Sequence, residues 1–270
     1  MFDSGFGGLT VLKEILSRLP KVNAFFVADN HAFPYGFKQN HELIDRVEAV
    51  IRVALETIKP EIVVIACNTA STVCLNQLRL QFPCTFVGVV PAIKPAALQS
   101  ENKRIGILAT PVTSTSAYLT NLINEFANDC QVETYGSSKL VEIAEEKIKN
   151  CSVDKPLLLT ELKELLALFE DELPDKIVLA CTHFPLLKEE ISEMITPRIT
   201  LIDSGEAIAR RVKQLLTETS ANFEQKETAP YDGVTLYFTK QQNLTSASKT
   251  QIESYLSTII EISTLAVNFN

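Results

Sequence analysis

The residues best suited to chemistry in this chain are two cysteines, Cys67 and Cys181, set in one template at two distant places. The first stretch reads Pro60-Glu61-Ile62-Val63-Val64-Ile65-Ala66-Cys67-Asn68-Thr69, the second Pro174-Asp175-Lys176-Ile177-Val178-Leu179-Ala180-Cys181-Thr182-His183. Each opens on a proline and an acid, continues as a short apolar run rich in Val and Ile, and closes on Ala-Cys with two hydrogen-bonding residues. Such a run reads as a strand buried on both faces. Each thiol is therefore expected just past the carboxyl end of a central strand, where open α/β sheets place their ligands. A helix N-terminus following each cysteine would favour its thiolate. Two thiols in equivalent positions of two similar halves suit a single site with one cysteine on each side. Such a site can take a proton from one face of a carbon and deliver one to the other.

The neighbours of the two thiols sharpen that expectation. His183 stands two residues after Cys181 and is one of only three histidines, so it can orient the thiol or accept its proton. His31 and His41 have no comparable context. Cys74, Cys84, Cys130 and Cys151 read as small buried hydrophobes. A zinc centre of Cys67, Cys181, His183 and a carboxylate is the competing arrangement, but Cys-x-His is not a usual zinc spacing and no second pair supports it, so no metal is expected. Asp3-Ser4-Gly5-Phe6-Gly7-Gly8 has the glycines of an anion-cradling turn without the spacing of a dinucleotide site or the lysine of a P-loop. Asp3 would repel a phosphate, and suits a substrate ammonium or the proton of a nearby cysteine. Asp203-Ser204-Gly205 repeats the tripeptide and reads equally well as a helix N-cap.

The elements that must position these residues alternate between strand and helix, the mark of an α/β fold with mainly parallel sheets. The first round comprises a Gly-rich turn, a helix over Leu9–Leu19, a strand at Ala24–Ala28, a helix over His41–Lys59, the first cysteine strand, a helix over Ser71–Leu80 and a strand at Thr85–Val90. The second comprises an apolar Arg104–Ala109, a hydroxyl-rich Thr110–Ser116, a helix over Ala117–Phe126 and a helix over Leu158–Leu173 leading into the second cysteine strand. An internal duplication explains the parallel. Prolines in Val90–Pro95 mark a connection between halves. A helix over Glu206–Thr219 and a strand at Thr235–Phe238 most simply return to the first half, with a polar loop over 220–233. Two similar α/β domains facing each other across a central cleft are expected, 1–94 with 205–270 forming the first and 95–204 the second.

Composition narrows the function. Of 270 residues, 46% are hydrophobic and 21% charged, as in a folded globular chain. A net charge of −8 argues against a nucleic-acid surface. No apolar run approaches the ~20 residues that span a bilayer. The chain shows no secretory signal, so its six cysteines read as reduced thiols of a cytoplasmic protein.

These pieces together resemble the cofactor-independent aspartate/glutamate racemase superfamily, and within it the glutamate racemases. The resemblance spans nearly the whole chain. It rests on Asp3-Ser4-Gly5 with Gly7-Gly8, Pro34-Tyr35-Gly36, Ala66-Cys67-Asn68-Thr69, Gly88 to Ala96, and Ala180 to Leu187. It implies two facing α/β domains, no cofactor, glutamate as the small-molecule substrate and a homodimer. It further implies that Cys67 and Cys181 are the catalytic bases, Cys67 acting on the D-isomer and Cys181 on the L-isomer. Asp3, His183 and Glu145 would manage their protons. Asp3-Ser4, Tyr35-Gly36, Asn68-Thr69, Thr113 and Thr182-His183 would contact substrate. The activity implied is interconversion of L- and D-glutamate, supplying D-glutamate for peptidoglycan. Aspartate racemisation by the same chemistry, a non-catalytic amino-acid-binding module, and a cysteine hydrolase using Cys181 and His183 are the alternatives. The family carries a complete strand before Asp-Ser-Gly, whereas only Met1 and Phe2 precede Asp3 here. Either the start is trimmed or misassigned or the first strand is a stub, and the fold is expected to gain stability from an upstream extension.

Overall fold

In the computed structural model, residues 1–220 and 233–267 are described. The stretch 221–232, most of the predicted polar loop, lies outside them. The first half reads β1 (Phe2–Asp3), α1 (Leu9–Arg18), β2 (Ala24–Ala28), a 3-10 turn at Tyr35–Phe37, α2 (Asn40–Ile58), β3 (Ile62–Ile65), α3 (Asn68–Gln81) and β4 (Thr85–Gly88). After α4 (Ile93–Gln99) the pattern begins again. It runs through β5 (Arg104–Ala109), α5 (Pro111–Ser114), α6 (Ala117–Phe126), β6 (Gln131–Gly136), α7 (Lys139–Asn150), α8 (Lys155–Leu166), β7 (Lys176–Leu179), a 3-10 turn at Phe184–Leu187, α9 (Lys188–Met194) and β8 (Thr200–Ile202). Then come α10 (Gly205–Ser220), β9 (Val234–Phe238), α11 (Ser246–Leu256) and β10 (Ile260–Thr264).

Two parallel sheets result, with strand orders β10-β9-β2-β1-β3-β4 and β6-β5-β7-β8. The four strands of each half follow the same order, so the first half reads second, first, third, fourth, and so does the second half. The repetition reaches single hydrogen bonds. The Ala66 N–H donates to the Phe2 carbonyl and the Ala180 N–H to that of Leu108, both at 2.8 Å. The Asp29 N–H donates to the Asp3 carbonyl at 2.9 Å, and the Ser137 N–H to that of Ala109 at 2.8 Å. These pairs superpose Phe2 on Leu108, Asp3 on Ala109 and Ser4 on Thr110. β1 is only two residues long, yet it sits between β2 and β3 with Phe2 facing Val27 and Ile65. β9 lies beside β2, in register from Ala24 with Val234 to Ala28 with Phe238.

The strands form where the sequence concentrates β-branched and aliphatic residues, and β3 and β7 are buried along nearly their whole length. The largest core crosses from one sheet to the other. The Phe6 ring packs edge-on against Phe238 at 5.7 Å, and Phe6 shares a cluster with Val141, Leu179 and Cys181. The turn after β1 is thus built into the second half as firmly as into its own.

Four local outcomes differ from expectation. α8 starts at Lys155 because the Asp154 carboxylate caps the Leu157 N–H, and it stops at Leu166, short of Leu173. Pro95 interrupts nothing, since it lies in the first turn of α4, where the ring breaks no helical hydrogen bond. Cys181 is followed by a single 3-10 turn, whereas Cys67 directly caps the long helix α3. Of the cysteines read as buried, Cys74 is buried, Cys84 and Cys130 are partly exposed, and Cys151 is exposed at the left-handed C-cap of α7. Among the described residues, no helix is long and apolar enough to cross a membrane.

Candidate active site

Cys67 ends β3 and caps α3, with its Sγ accepting the Ala70 N–H at 3.5 Å and lying 4.0 Å from Ser4 Oγ. Cys181 leaves β7 at the equivalent point, its Sγ 3.8 Å from His183 Nδ1. Both thiols line one cleft of about 400 Å³, counting its open mouth. Ser4, Tyr35, Gly36, Asn68, Thr69, Thr182 and His183 also line it, so most of the residues singled out in the sequence meet there. No lysine or arginine is among the lining residues. Asn68 is buried and its Nδ2 has no hydrogen-bond partner among the described residues, leaving an amide donor for a bound acceptor.

Asp3 and Glu145 stand behind this lining and hold it. Asp3 Oδ1 accepts the Ser4 hydroxyl at 3.2 Å and the Gly5 N–H at 3.1 Å, and Oδ2 accepts the Thr182 hydroxyl at 2.9 Å. One buried carboxylate thereby fixes a residue from each cysteine's surroundings. Glu145 Oε1 accepts the Phe6 N–H at 2.7 Å and lies 2.8 Å from His183 Nε2. The Gly7 N–H also points at His183 Nε2, 3.2 Å away. Bare, Nε2 accepts from Gly7 while Nδ1 carries a proton towards Cys181; protonated, Nε2 donates to Glu145. Nε2 therefore has a partner in either protonation state, Gly7 in one and Glu145 in the other, while Nδ1 faces the thiol.

The electrostatics of the two sides differ. Burial pushes the Cys67 thiol well above its ordinary value, and the Asp3 charge adds to the effect against the Ala70 N–H. Burial also raises Asp3, opposed by the nearby His183 charge and the Gly5 N–H. Burial works against a charged His183, yet its hydrogen bonds to Cys181 and Glu145 hold the imidazolium well above the usual range. Glu145, despite burial, is pulled down to about 2 by the His183 hydrogen bond and charge, with Lys149 and the Phe6 N–H adding to it. Cys67 thus faces an anionic surround and Cys181 a cationic ring.

The glycines of the first turn serve close approach. A Cβ on Gly7 would lie 2.4 Å from His183 Nδ1, and one on Gly5 would lie 2.2 Å from Glu145 Oε1. The backbone must pass flush against the second half for Phe6 and Gly7 to donate there.

Thr113 is placed less directly than the resemblance implies. It is fully buried, and the Thr110 hydroxyl bonds its Oγ1 at 3.0 Å and lies 3.1 Å from Thr69 Oγ1. Thr110 itself lines the cleft. The sequence signal for it was the duplication, because Thr110 occupies the position of Ser4. Phe33, Ser138 and Val141 also line the cleft with no sequence signal of their own. The Tyr35 wall is anchored from below by buried Asp29, whose Oδ2 accepts the Tyr35 hydroxyl at 2.5 Å and Arg46 Nε at 2.7 Å, while Oδ1 accepts the Thr239 hydroxyl at 2.5 Å. Among the described residues, no group of three or more metal-ligating side chains comes together.

A cleft between two repeated α/β halves, with a thiol from each half and a proton-holding partner behind each, has the build of an isomerase site. The chain belongs to the Asp/Glu/hydantoin racemase family, whose model matches residues 8–212. It is 44% identical over 269 residues to a glutamate racemase of Shewanella sp. (strain MR-7), covering 99% of this chain and 97% of that protein. It is 52% identical over 216 residues to one of Aliivibrio fischeri, covering 80% of each. Among solved structures, Escherichia coli glutamate racemase in complex with L-glutamate and the activator UDP-MurNAc-ala matches with a TM-score of 0.86 at 39% identity, over 99% of this chain and 97% of that one. The protein is accordingly an amino-acid racemase.

Proposed function

We propose that this protein interconverts L- and D-glutamate with Cys67 and Cys181 as opposed bases, without a cofactor, and so supplies D-glutamate for peptidoglycan. The observation that carries the proposal is the meeting of both thiols in one cleft beside an unpartnered Asn68 amide. One cysteine, as thiolate, removes the α-proton; the other, as thiol, protonates the opposite face. An ordinary thiol pKa of about 8.5 leaves little thiolate at neutral pH, which is where His183 and Glu145 act on the Cys181 side. Asp3, beside Cys67, takes the corresponding place on the other side. Ser4, Asn68, Thr69, Thr110 and Thr182 offer hydrogen bonds to the substrate carboxylates and to the charge that develops at the α-carbon. Thr113 acts through Thr110, and Tyr35-Gly36 forms the wall along which the side chain lies. A lining without lysine or arginine suits a substrate held by hydroxyls, amides and backbone N–H groups.

The relatives' names support glutamate over aspartate as the substrate. The test is circular dichroism of each enantiomer of glutamate and aspartate incubated with the protein. Ellipticity of both glutamate enantiomers is expected to decay to zero, with that of aspartate unchanged on the same timescale. Faster decay with aspartate would transfer the proposal to that substrate, and no decay with either would leave a binding module.

A further inference from the structure

The chain of contacts from Cys181 through His183 to Glu145 continues one residue further. Glu145 Oε1 is occupied by the Phe6 N–H and His183, and its second oxygen, Oε2, is taken by Lys149 Nζ at 2.9 Å, one helical turn along α7. Lys149 is one-third exposed, but it is not a free surface ammonium. Its Nζ lies 5.6 Å from the centre of the Phe33 ring and 6.0 Å from that of Phe6. Phe33 lines the cleft and packs on the His183 ring at 5.8 Å, while the Phe6 N–H is the donor to Glu145. The ammonium is therefore seated between the two aromatic residues that flank the Glu145–His183 pair.

We infer that Lys149 is a positioning residue for the second base: it fixes the Glu145 carboxylate on His183 and so governs how tightly the His183–Cys181 couple holds its proton. This rests on the assignment of Cys181 as one of two opposed bases. The charged groups facing Glu145 are His183 from the loop after β7, Lys149 from its own helix and, beyond His183, Asp3 from the turn after β1. α11, which packs on α7, presents the Ser248 hydroxyl to the Lys149 carbonyl. Lys149 is the cation in that set that lies outside the proton-exchanging couple, bound to the second oxygen of Glu145. Its charge opposes a second proton on the couple. Without it, the couple takes that proton at higher pH and the thiolate is lost sooner as the solution is acidified.

Racemisation cannot reveal an effect on one face, because an equilibrium constant of one forces kcat/KM to be equal in both directions at every pH. Elimination from 3-chloroglutamate can. The Cα–H bond breaks to one thiolate, its electron pair forms the Cα=Cβ bond, and chloride leaves. Water then hydrolyses the enamine to 2-oxoglutarate and ammonium. Each α-configuration reports one cysteine, identified by the enantiomer that Cys67→Ser or Cys181→Ser still converts. Lys149→Met is expected to move the acid limb of the kcat/KM profile for the Cys181-dependent enantiomer to higher pH by about half a unit to one unit, leaving the other nearly in place. Lys149→Arg should restore the wild-type profile. A purely structural lysine would lower both rates together without moving either limb. If the serine variants fail to separate the enantiomers, the two-base assignment falls and this inference with it. If they separate them but Lys149→Met shifts both profiles alike, or neither, the inference alone is overturned.

Discussion

Cys67→Ser and Cys181→Ser are each expected to stay folded and to lose racemisation in both directions, by about a thousandfold or more. In the proposed mechanism each turnover uses a base on one face and an acid on the other, so removing either group stops both directions. Serine preserves the shape of the thiol, and both sites are buried but hydrogen-bonded, so the Ala70 N–H at position 67 keeps an acceptor. What is lost is acidity, because a hydroxyl at neutral pH supplies no useful anion. Steady-state rates by circular dichroism, with thermal midpoints to show that folding persists, check the expectation. Near-normal racemisation by either folded variant would remove that cysteine from the reaction.

Gly7→Ala is expected to cost about a hundredfold in kcat/KM with no change to any polar group of the site. The added methyl meets His183 Nδ1 at 2.4 Å and Thr182 Oγ1 at 2.7 Å, and both neighbours are buried and pinned by Asp3 and Glu145. Neither can retreat without breaking a hydrogen bond that holds the second thiol in place. A displacement of about 1 Å in such a site costs on the order of 10²-fold. Overpacking adds roughly 1–3 kcal/mol of destabilisation. Gly36→Ala is the comparison, since a methyl there meets only ordinary contacts, the closest being Thr110 Cβ at 3.4 Å. If Gly7→Ala retained the activity of Gly36→Ala, the close passage of the first turn over His183 would not matter to catalysis.

Much of the fold was legible because buried parallel strands declare themselves. Ile62–Ile65 and Lys176–Leu179 are short, aliphatic and closed by Ala-Cys, and they lie within their sheets with β4 and β8 beyond them. Some of the elements that escaped notice are ones that packing leaves half-exposed. β6 and β10 are edge strands, Gln131-Val132-Glu133-Thr134-Tyr135-Gly136 and Ile260-Glu261-Ile262-Ser263-Thr264, the first mostly half-buried and the second mostly exposed. α11 is largely polar and was invisible to an apolar periodicity. In the site, residues beside a cysteine in sequence were readable, whereas Glu145 needed the family resemblance and Lys149 needed the fold. The Gly-rich turn looked like an anion cradle because glycines permit both a cradle and a close approach. Only the position of His183 distinguishes the two. Thr110 was present in the duplication all along, but its correspondence to Ser4 appears only when the hydrogen bonds of β1 and β5 are aligned.

The central claim is that two groups on opposite faces handle the α-proton, and the isotope at the α-carbon early in the reaction tests it most directly. With L-glutamate in heavy water and only a few per cent converted, the D-glutamate formed should carry deuterium at Cα while the remaining L-glutamate stays protiated, and starting from D-glutamate should give the mirror result. Retention of the original hydrogen in the product, or deuterium entering the unreacted enantiomer as fast as racemisation proceeds, would mean that a single base serves both faces, and would contradict the assignment of Cys67 and Cys181 as a facing pair.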